Sequence, residues 1–286
     1  MDPKIIALYD EYTHAPLPRR TFLERLAALA GSSAAAYALL PMLENDYARA
    51  AIVAPDDARI AVERAPIRLP GGEMRAYVAV PRDGPAKRAG VIVIHENRGL
   101  NPYIEDVARR AAAEGFLALA PDGLFPVGGY PGNDDDGRTL QAGLDQAKLR
   151  TDMLNSARWL KGHRLSSGKL GVTGFCWGGG TTNFLAASLG DEMHAGAPFY
   201  GAAAETAGVA RITAPLLVHY AETDERINAM WPAFEAALKQ HGVPHEAHFY
   251  PGTQHGFHNN STPRYQEAAA KLAWERTVAH FRRRLG

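Results

Sequence analysis

An α/β fold with a mostly parallel central sheet and helices on both of its faces is predicted by three features of this sequence. Strand-like and helix-like segments alternate beyond about residue 60. Several of the strand-like segments are continuous apolar runs, as expected of strands covered on both sides. Prolines and glycines punctuate the alternation where elements should start or stop. The first strand spans residues 74–80, half-buried in pattern and closed by Pro81. Residues 90–95, Gly-Val-Ile-Val-Ile-His, are the next and the most β-branched. Pro102 sits where a helix can begin, and Gly115 stops that helix after Glu114. Residues 116–120 form a buried strand ended by Pro121. Residues 123–140 are rich in Gly, Pro and Asp and read as a surface loop, with Asp134-Asp135-Asp136 a solvated turn rather than a metal site. One long helix is expected over 141–163, a strand over 169–173 and a helix over 181–189. Strands follow at 195–200 and 216–220, a helix at 230–241, a strand at 246–250 and a closing helix at 264–284. The whole of 61–286 reads as one domain, preceded by a distinct region, 1–60.

That first region has two readings. Arg19-Arg20 precedes an apolar, small-residue run over 26–40, and the segment ends near Ala48-Arg49-Ala50, in the manner of a twin-arginine export signal. The alternative is a pair of amphipathic helices, with Ile5, Ile6, Tyr9 and Tyr12 on one side of the first, packed permanently on the domain. The first reading places the protein in the periplasm and the second in the cytoplasm. Gly31-Ser32-Ser33 interrupts the apolar run, so a permanent membrane span is not expected.

Composition narrows the function. Of 286 residues, 46% are hydrophobic and 22% charged, an ordinary globular balance. The 31 basic side chains cancel the 31 acidic ones, which leaves no net field to recruit nucleic acid or an anionic membrane. The single cysteine, Cys176, excludes an internal disulfide and any cysteine-based zinc cluster.

The chemistry centres on that cysteine. Gly174-Phe175-Cys176-Trp177-Gly178-Gly179-Gly180 lies between a strand and a helix, a G-x-C-x-G version of the nucleophile elbow of α/β hydrolases. A tight strand-to-helix turn strains the central residue, the flanking glycines remove Cβ clashes, and the helix N-terminus favours a thiolate. The plain alternative is a buried structural cysteine. In the hydrolase order a nucleophile is followed by an acid and then a histidine. Asp224 and His255 meet that order, each on a loop at a strand's carboxyl end. The other histidines do not assemble into a metal set. His245 and His248 point to opposite faces of an extended segment, and His95-Glu96 lacks the second histidine of H-E-x-x-H. Glu96 leaves a buried strand on the same rim, either to cap the next loop or to contact the Cys176 thiol and control its ionisation.

Together, His95-Glu96, Pro121-Asp122, the Gly-Phe-Cys-Trp-Gly-Gly elbow, Asp224 and Gly252-x-x-His255-Gly-Phe resemble the dienelactone hydrolase family over residues 65–286. The resemblance implies an α/β-hydrolase fold and a Cys176–His255–Asp224 triad. It also implies that Glu96 engages the resting cysteine, and that the N–H groups of Trp177 and Asn97 form the oxyanion hole. The substrate implied is a small-molecule ester or lactone of the carboxymethylenebutenolidase kind, without metal or organic cofactor. Two arginines that bind a lactone carboxylate in such enzymes are absent here: residues 123–128 contain none, and Asn259 stands at the second position. Arg98 is either a replacement for them or a structural cation, and Phe125, Tyr130 and Phe257 are candidate pocket walls beside Trp177. Two other classes stay open, a non-catalytic ligand-binding protein of the same fold and a thiol redox sensor.

Overall fold

A computed structural model describes residues 2–14, 17–47 and 50–286. Three helices come first, α1 (Pro3–His14), α2 (Arg19–Ala30) and α3 (Ser33–Leu43). They are followed by β1 (Ile60–Leu69), β2 (Gly72–Pro81), β3 (Arg88–Ile94), α4 (Pro102–Ala113), β4 (Leu117–Pro121), α5 (Asp134–Ala142) and α6 (Gln146–Lys161). Next are β5 (Ser166–Phe175), α7 (Trp177–Leu189), β6 (Ala195–Phe199) and the short α8 (Thr206–Val209). The chain closes with β7 (Leu216–Thr223), the short α9 (Glu225–Asn228), α10 (Trp231–Gln240), β8 (His245–Gln254) and α11 (Glu267–Leu285).

The strands form one sheet in the order β1-β2-β4-β3-β5-β6-β7-β8. From β4 to β8 every pairing is parallel, while β2 runs antiparallel to both β1 and β4. The expected α/β-hydrolase architecture is therefore present. Alternation along β3 shows how both faces are covered. Ile92 and Ile94 pack with Leu149, Met153 and Leu160 of α6 and Leu185 of α7. Val91 and Val93 pack with Val107 and Ala111 of α4 and Phe281 of α11.

Three elements differ from the sequence expectation. Strand β1 was not anticipated: it is an edge strand with Glu63 and Arg64 exposed, and its charges hide the period of two. The long helix over 141–163 is two helices. Gly143 closes α5, and the Asp145 side chain accepts from the Ala147 and Lys148 N–H groups to start α6. The aspartate run is no solvated turn but the first turn of α5, capped by Asn133. Three carboxylates there complement the helix dipole, a signal masked by the glycines and prolines around them.

The N-terminal helices enclose a small core of their own, in which Phe22, Leu26 and Leu43 are fully buried beside Ile5, Leu8, Tyr9 and Tyr12. Gly31, left-handed at φ 84°, ends α2, and the Ser32 hydroxyl caps α3. Among the described residues no single helix is long and apolar enough to cross a membrane; α2 and α3 pass that test only as a pair bent by 108°. Of the Ala48-Arg49-Ala50 motif, Ala48 and Arg49 lie outside the described residues.

Buried neutral histidines make this fold sensitive to acid. His95 pairs its Nδ1 with the Glu96 carbonyl at 2.6 Å and accepts the Gly123 N–H at Nε2, so both ring nitrogens are used in the neutral form. Burial lowers the pKa of both His95 and His280 to about 4. Because the unfolded ring titrates near 6.5, the unfolded state binds more protons between the two values. The stabilisation is complete above pH 6.5 and is lost as pH falls toward 4, about 3 kcal/mol for each group over the full range. Urea unfolding should therefore show a lower midpoint at pH 5 than at pH 7.5, and His280→Gln should flatten the difference.

Candidate active site

The site is built where β5 passes into α7. Cys176 occupies the turn with φ 56° and ψ −113°, a conformation side chains rarely adopt. The reason is local. β5 and α7 approach so closely that a Cβ on Gly174 would strike the Gly178 carbonyl, and a Cβ on Gly178 would strike the carbonyl of Ile94. Only glycine fits at both positions, and the residue between must turn sharply. The Cys176 N–H donates to the Phe199 carbonyl at 3.1 Å, which fixes the elbow against β6. Trp177 is the first residue of α7, so its N–H has no acceptor within the helix. Its ring stacks on His95 at 5.4 Å.

Two neighbouring rim loops supply the partners. Asp224, after β7, accepts from His255 Nδ1 at 2.5 Å, and both side chains are buried. The opposite ring atom, His255 Nε2, is buried without a hydrogen-bond partner and lies within 4.8 Å of the Cys176 sulfur. Tyr200 packs its ring 4.9 Å from that of His255. Sequence reasoning thus found the three residues that the fold gathers.

It missed a fourth. His14, at the end of α1, reaches the same sulfur with Nε2 at 3.3 Å, and its ring stands edge-on to His255 at 4.4 Å. His14 Nδ1 faces the Asp10 carbonyl at 2.9 Å and the Asp10 carboxylate at 3.3 Å. Asp10 in turn accepts from Arg264 at 2.6 Å, and Asn97 Nδ2 donates to the Thr13 carbonyl at 2.8 Å. Helix α1 therefore lies across the elbow, and Cys176 is only 8% exposed. A cleft of about 560 Å³ opens beside it, bordered by Asp10, Glu11 and His14 on one side and Asp224, Glu225 and His255 on the other.

The charges of the site are coupled. Burial alone would raise the Cys176 thiol, but the His14 and His255 imidazoles outweigh it and hold the thiol well below its ordinary value. Burial likewise opposes a charged His255, yet the Cys176 charge and the Asp224 bond push its pKa up to about 10. His14 is raised on balance: burial and the His255 charge oppose Cys176 and Asp10. These directions favour a thiolate among imidazolium groups, the reactive form of cysteine.

Other expected residues stand elsewhere. Glu96 is buried, which raises its carboxyl above the usual range, but it accepts from Asn259 Nδ2 at 3.0 Å, and the sulfur's hydrogen-bond partner is His14. Arg98 is buried against Asp134 at 2.9 Å, where Asn45, Tyr47 and Tyr130 also meet the carboxylate. Arg98 and Tyr130 thus share one polar network around Asp134, and Tyr130 lines a separate cavity of about 520 Å³ with Asn45 and Tyr47 rather than the cleft beside His255. Phe257 is fully buried between Tyr200 and Tyr250, so it belongs to the core. Phe125 lies under the Arg75 guanidinium at 5.1 Å.

Removing one partner of a buried ion pair leaves the other uncompensated, at a cost of about 3–5 kcal/mol. Arg98→Ala should therefore lower the unfolding free energy from urea denaturation by about that amount without changing which substrates the folded fraction prefers. A changed preference at full stability would restore the substrate role.

Comparison with known proteins identifies the family. Residues 74–285 match the model of the dienelactone hydrolase family. An Escherichia coli K12 protein named "Putative carboxymethylenebutenolidase" is 30% identical over 243 residues, covering 80% of this chain and 89% of its own. Another from the same strain, named "Putative hydrolase fragment YghX", is 53% identical over 112 residues, 38% of this chain and 96% of that protein. A crystal structure titled as a putative dienelactone hydrolase from Klebsiella pneumoniae superposes with a TM-score of 0.70 at 28% identity. It covers 78% of this chain and 98% of its own. The family match begins at residue 74, so the helix that carries His14 lies outside it. With its elbow, its strand order and this match over most of its length, the chain belongs to the dienelactone hydrolase family of α/β hydrolases.

Proposed function

We propose that this chain hydrolyses uncharged esters or lactones through a Cys176–His255–Asp224 triad and an acyl-enzyme. The observation that carries this reading is geometric: Asp224 holds His255, whose ring lies within 4.8 Å of the Cys176 sulfur in its strained turn. The thiolate attacks the carbonyl carbon, and the resulting oxyanion is received by the N–H groups of Trp177 and Asn97. Collapse breaks the ester C–O bond, His255 gives its proton to the leaving oxygen, and the acyl group stays on sulfur as a thioester. Water then attacks with His255 as base, while Asp224 holds the ring in one tautomer. Helix α1 covers the sulfur, so its last turn withdraws as substrate enters from the cleft beside His255.

Charge supports an uncharged substrate. Of the charged groups bordering the cleft, Asp10, Glu11 and Asp224 are held by Arg264, Arg25 and His255, and Glu225 offsets Lys4 and Arg226 in part, so no strong positive field results. Arg98 is already neutralised by Asp134, and Asn259 is committed to Glu96. A substrate carboxylate would lose charge-assisted hydrogen bonds of about 1.5–3 kcal/mol each.

Turnover of a panel of aryl esters, neutral lactones and a carboxylated dienelactone checks both points. Cys176→Ala should reduce kcat by about 1,000,000-fold and Asp224→Asn by about 10,000-fold. The neutral members should be preferred by wild type. Equal turnover by Cys176→Ala would sink the mechanism, and preference for the carboxylated lactone would sink the substrate class.

Residues 2–47 belong, on this proposal, to the working protein, which acts in the cytoplasm. The packing of Phe22, Leu26 and Leu43 and the Asp10–Arg264 pair support a permanent extension over a cleaved export signal. Mass spectrometry of the protein from its host should find the original N-terminus; a start near residue 51 would overturn this.

A further inference from the structure

Nothing in ester hydrolysis calls for His14 or for the bonds that hold it. A hydrolase of this kind needs one imidazole at its nucleophile, and His255 is already that imidazole. Here a second one meets the same sulfur from a different segment, 162 residues away. The ligand atoms of His14, Cys176 and His255 all lie within 4.8 Å of one another.

We infer that His14, Cys176 and His255 form a binding site for a thiophilic divalent cation of the zinc type. Metal-bound histidines characteristically direct their second ring nitrogen to a carboxylate or carbonyl, which fixes the ring and raises its basicity. Both do so here. His255 Nδ1 is held by Asp224 at 2.5 Å, and His14 Nδ1 by the carbonyl and carboxylate of Asp10 at 2.9 and 3.3 Å. The outer groups are themselves fixed, since Arg264 donates to Asp10.

Size fits as well. Tetrahedral Zn–N bonds of about 2.0–2.1 Å and a Zn–S bond of about 2.3 Å place nitrogen and sulfur about 3.5 Å apart. His14 Nε2 and the Cys176 sulfur are 3.3 Å apart. The buried Nε2 of His255 has no hydrogen-bond partner and turns toward the same space. Three protein ligands leave a fourth position for water, and the cleft beside His14 and His255 gives solvent a route to the site. The cation takes lone pairs from the thiolate and two neutral imidazoles, and protons otherwise held by the cluster pass to solvent. Metal binding and acylation compete for one sulfur, so the loaded protein is a reserve form from which chelation restores the nucleophile.

The test uses the full chain, with Zn²⁺ and Co²⁺ as probes and binding rather than turnover as readout. Competition against a chromophoric chelator should give one Zn²⁺ per chain. Co²⁺ should produce a thiolate charge-transfer band with tetrahedral visible absorption. His14→Ala should weaken Zn²⁺ binding by about 100-fold or more, and the milder Asp10→Asn by about 10-fold. Zn²⁺ should also protect Cys176 from alkylation by iodoacetamide in wild type but not in His14→Ala. Binding as tight as wild type in His14→Ala or Cys176→Ser overturns the site, as does Co²⁺ uptake without the thiolate band or the lack of stoichiometric binding. These outcomes are independent of whether any ester is hydrolysed.

Discussion

The close approach of β5 to α7 is the constraint on which the rest of the site depends. Without side chains at Gly174 and Gly178, backbone carbonyls of neighbouring elements occupy the space where Cβ atoms would be. The turn between them then has one solution, and that solution holds Cys176 at positive φ with its sulfur off the end of the sheet. Parallel strands bring the loops after β7 and β8 to the same end, which is why Asp224 and His255 meet there. The strain at Cys176 is of order 1–3 kcal/mol, and the surrounding sheet and helix over-determine it.

Charge organises what the backbone has assembled. A buried thiolate is costly in isolation, and the two imidazoles that share the Cys176 enclosure offset that cost, holding the thiol well below its ordinary range. Each imidazole is stabilised in turn by an aspartate, Asp224 from the sheet and Asp10 from the N-terminal helix. The second arm makes α1 an integral part of the site's electrostatics. Arg264, Asn97 and Arg138 tie it down, the last through the Tyr12 carbonyl and ring.

Cys176, Asp224 and His255 were legible in the sequence because their signals are local: an elbow between strand and helix, and two loops at strand ends in a fixed order. The family resemblance also held. His14 was invisible because its contact is made by helix docking, and a histidine on an amphipathic helix carries no sign of what it faces. Arg98 could not be resolved for a related reason. Its role is decided by Asp134, which looked like part of a solvated turn until α5 was seen to begin there. The break between α5 and α6 was present in the sequence as Gly143 and Asp145, a stop and a start that the apolar periodicity across them concealed.

The docking of α1 also sets an order of assembly. Its residues leave the ribosome before the sheet does, yet Asp10 must wait for Arg264, 254 positions later. At about 5–20 residues per second, that delay is on the order of tens of seconds. Throughout it, Ile5, Leu8, Tyr9 and Tyr12 need a shelter, and Phe22, Leu26 and Leu43 supply one that is complete by the end of α3. The first helices can thus fold as a local unit while the sheet is still being made. The Asp10–Arg264 pair that ties α1 over Cys176 is thus among the last long-range contacts that synthesis makes available.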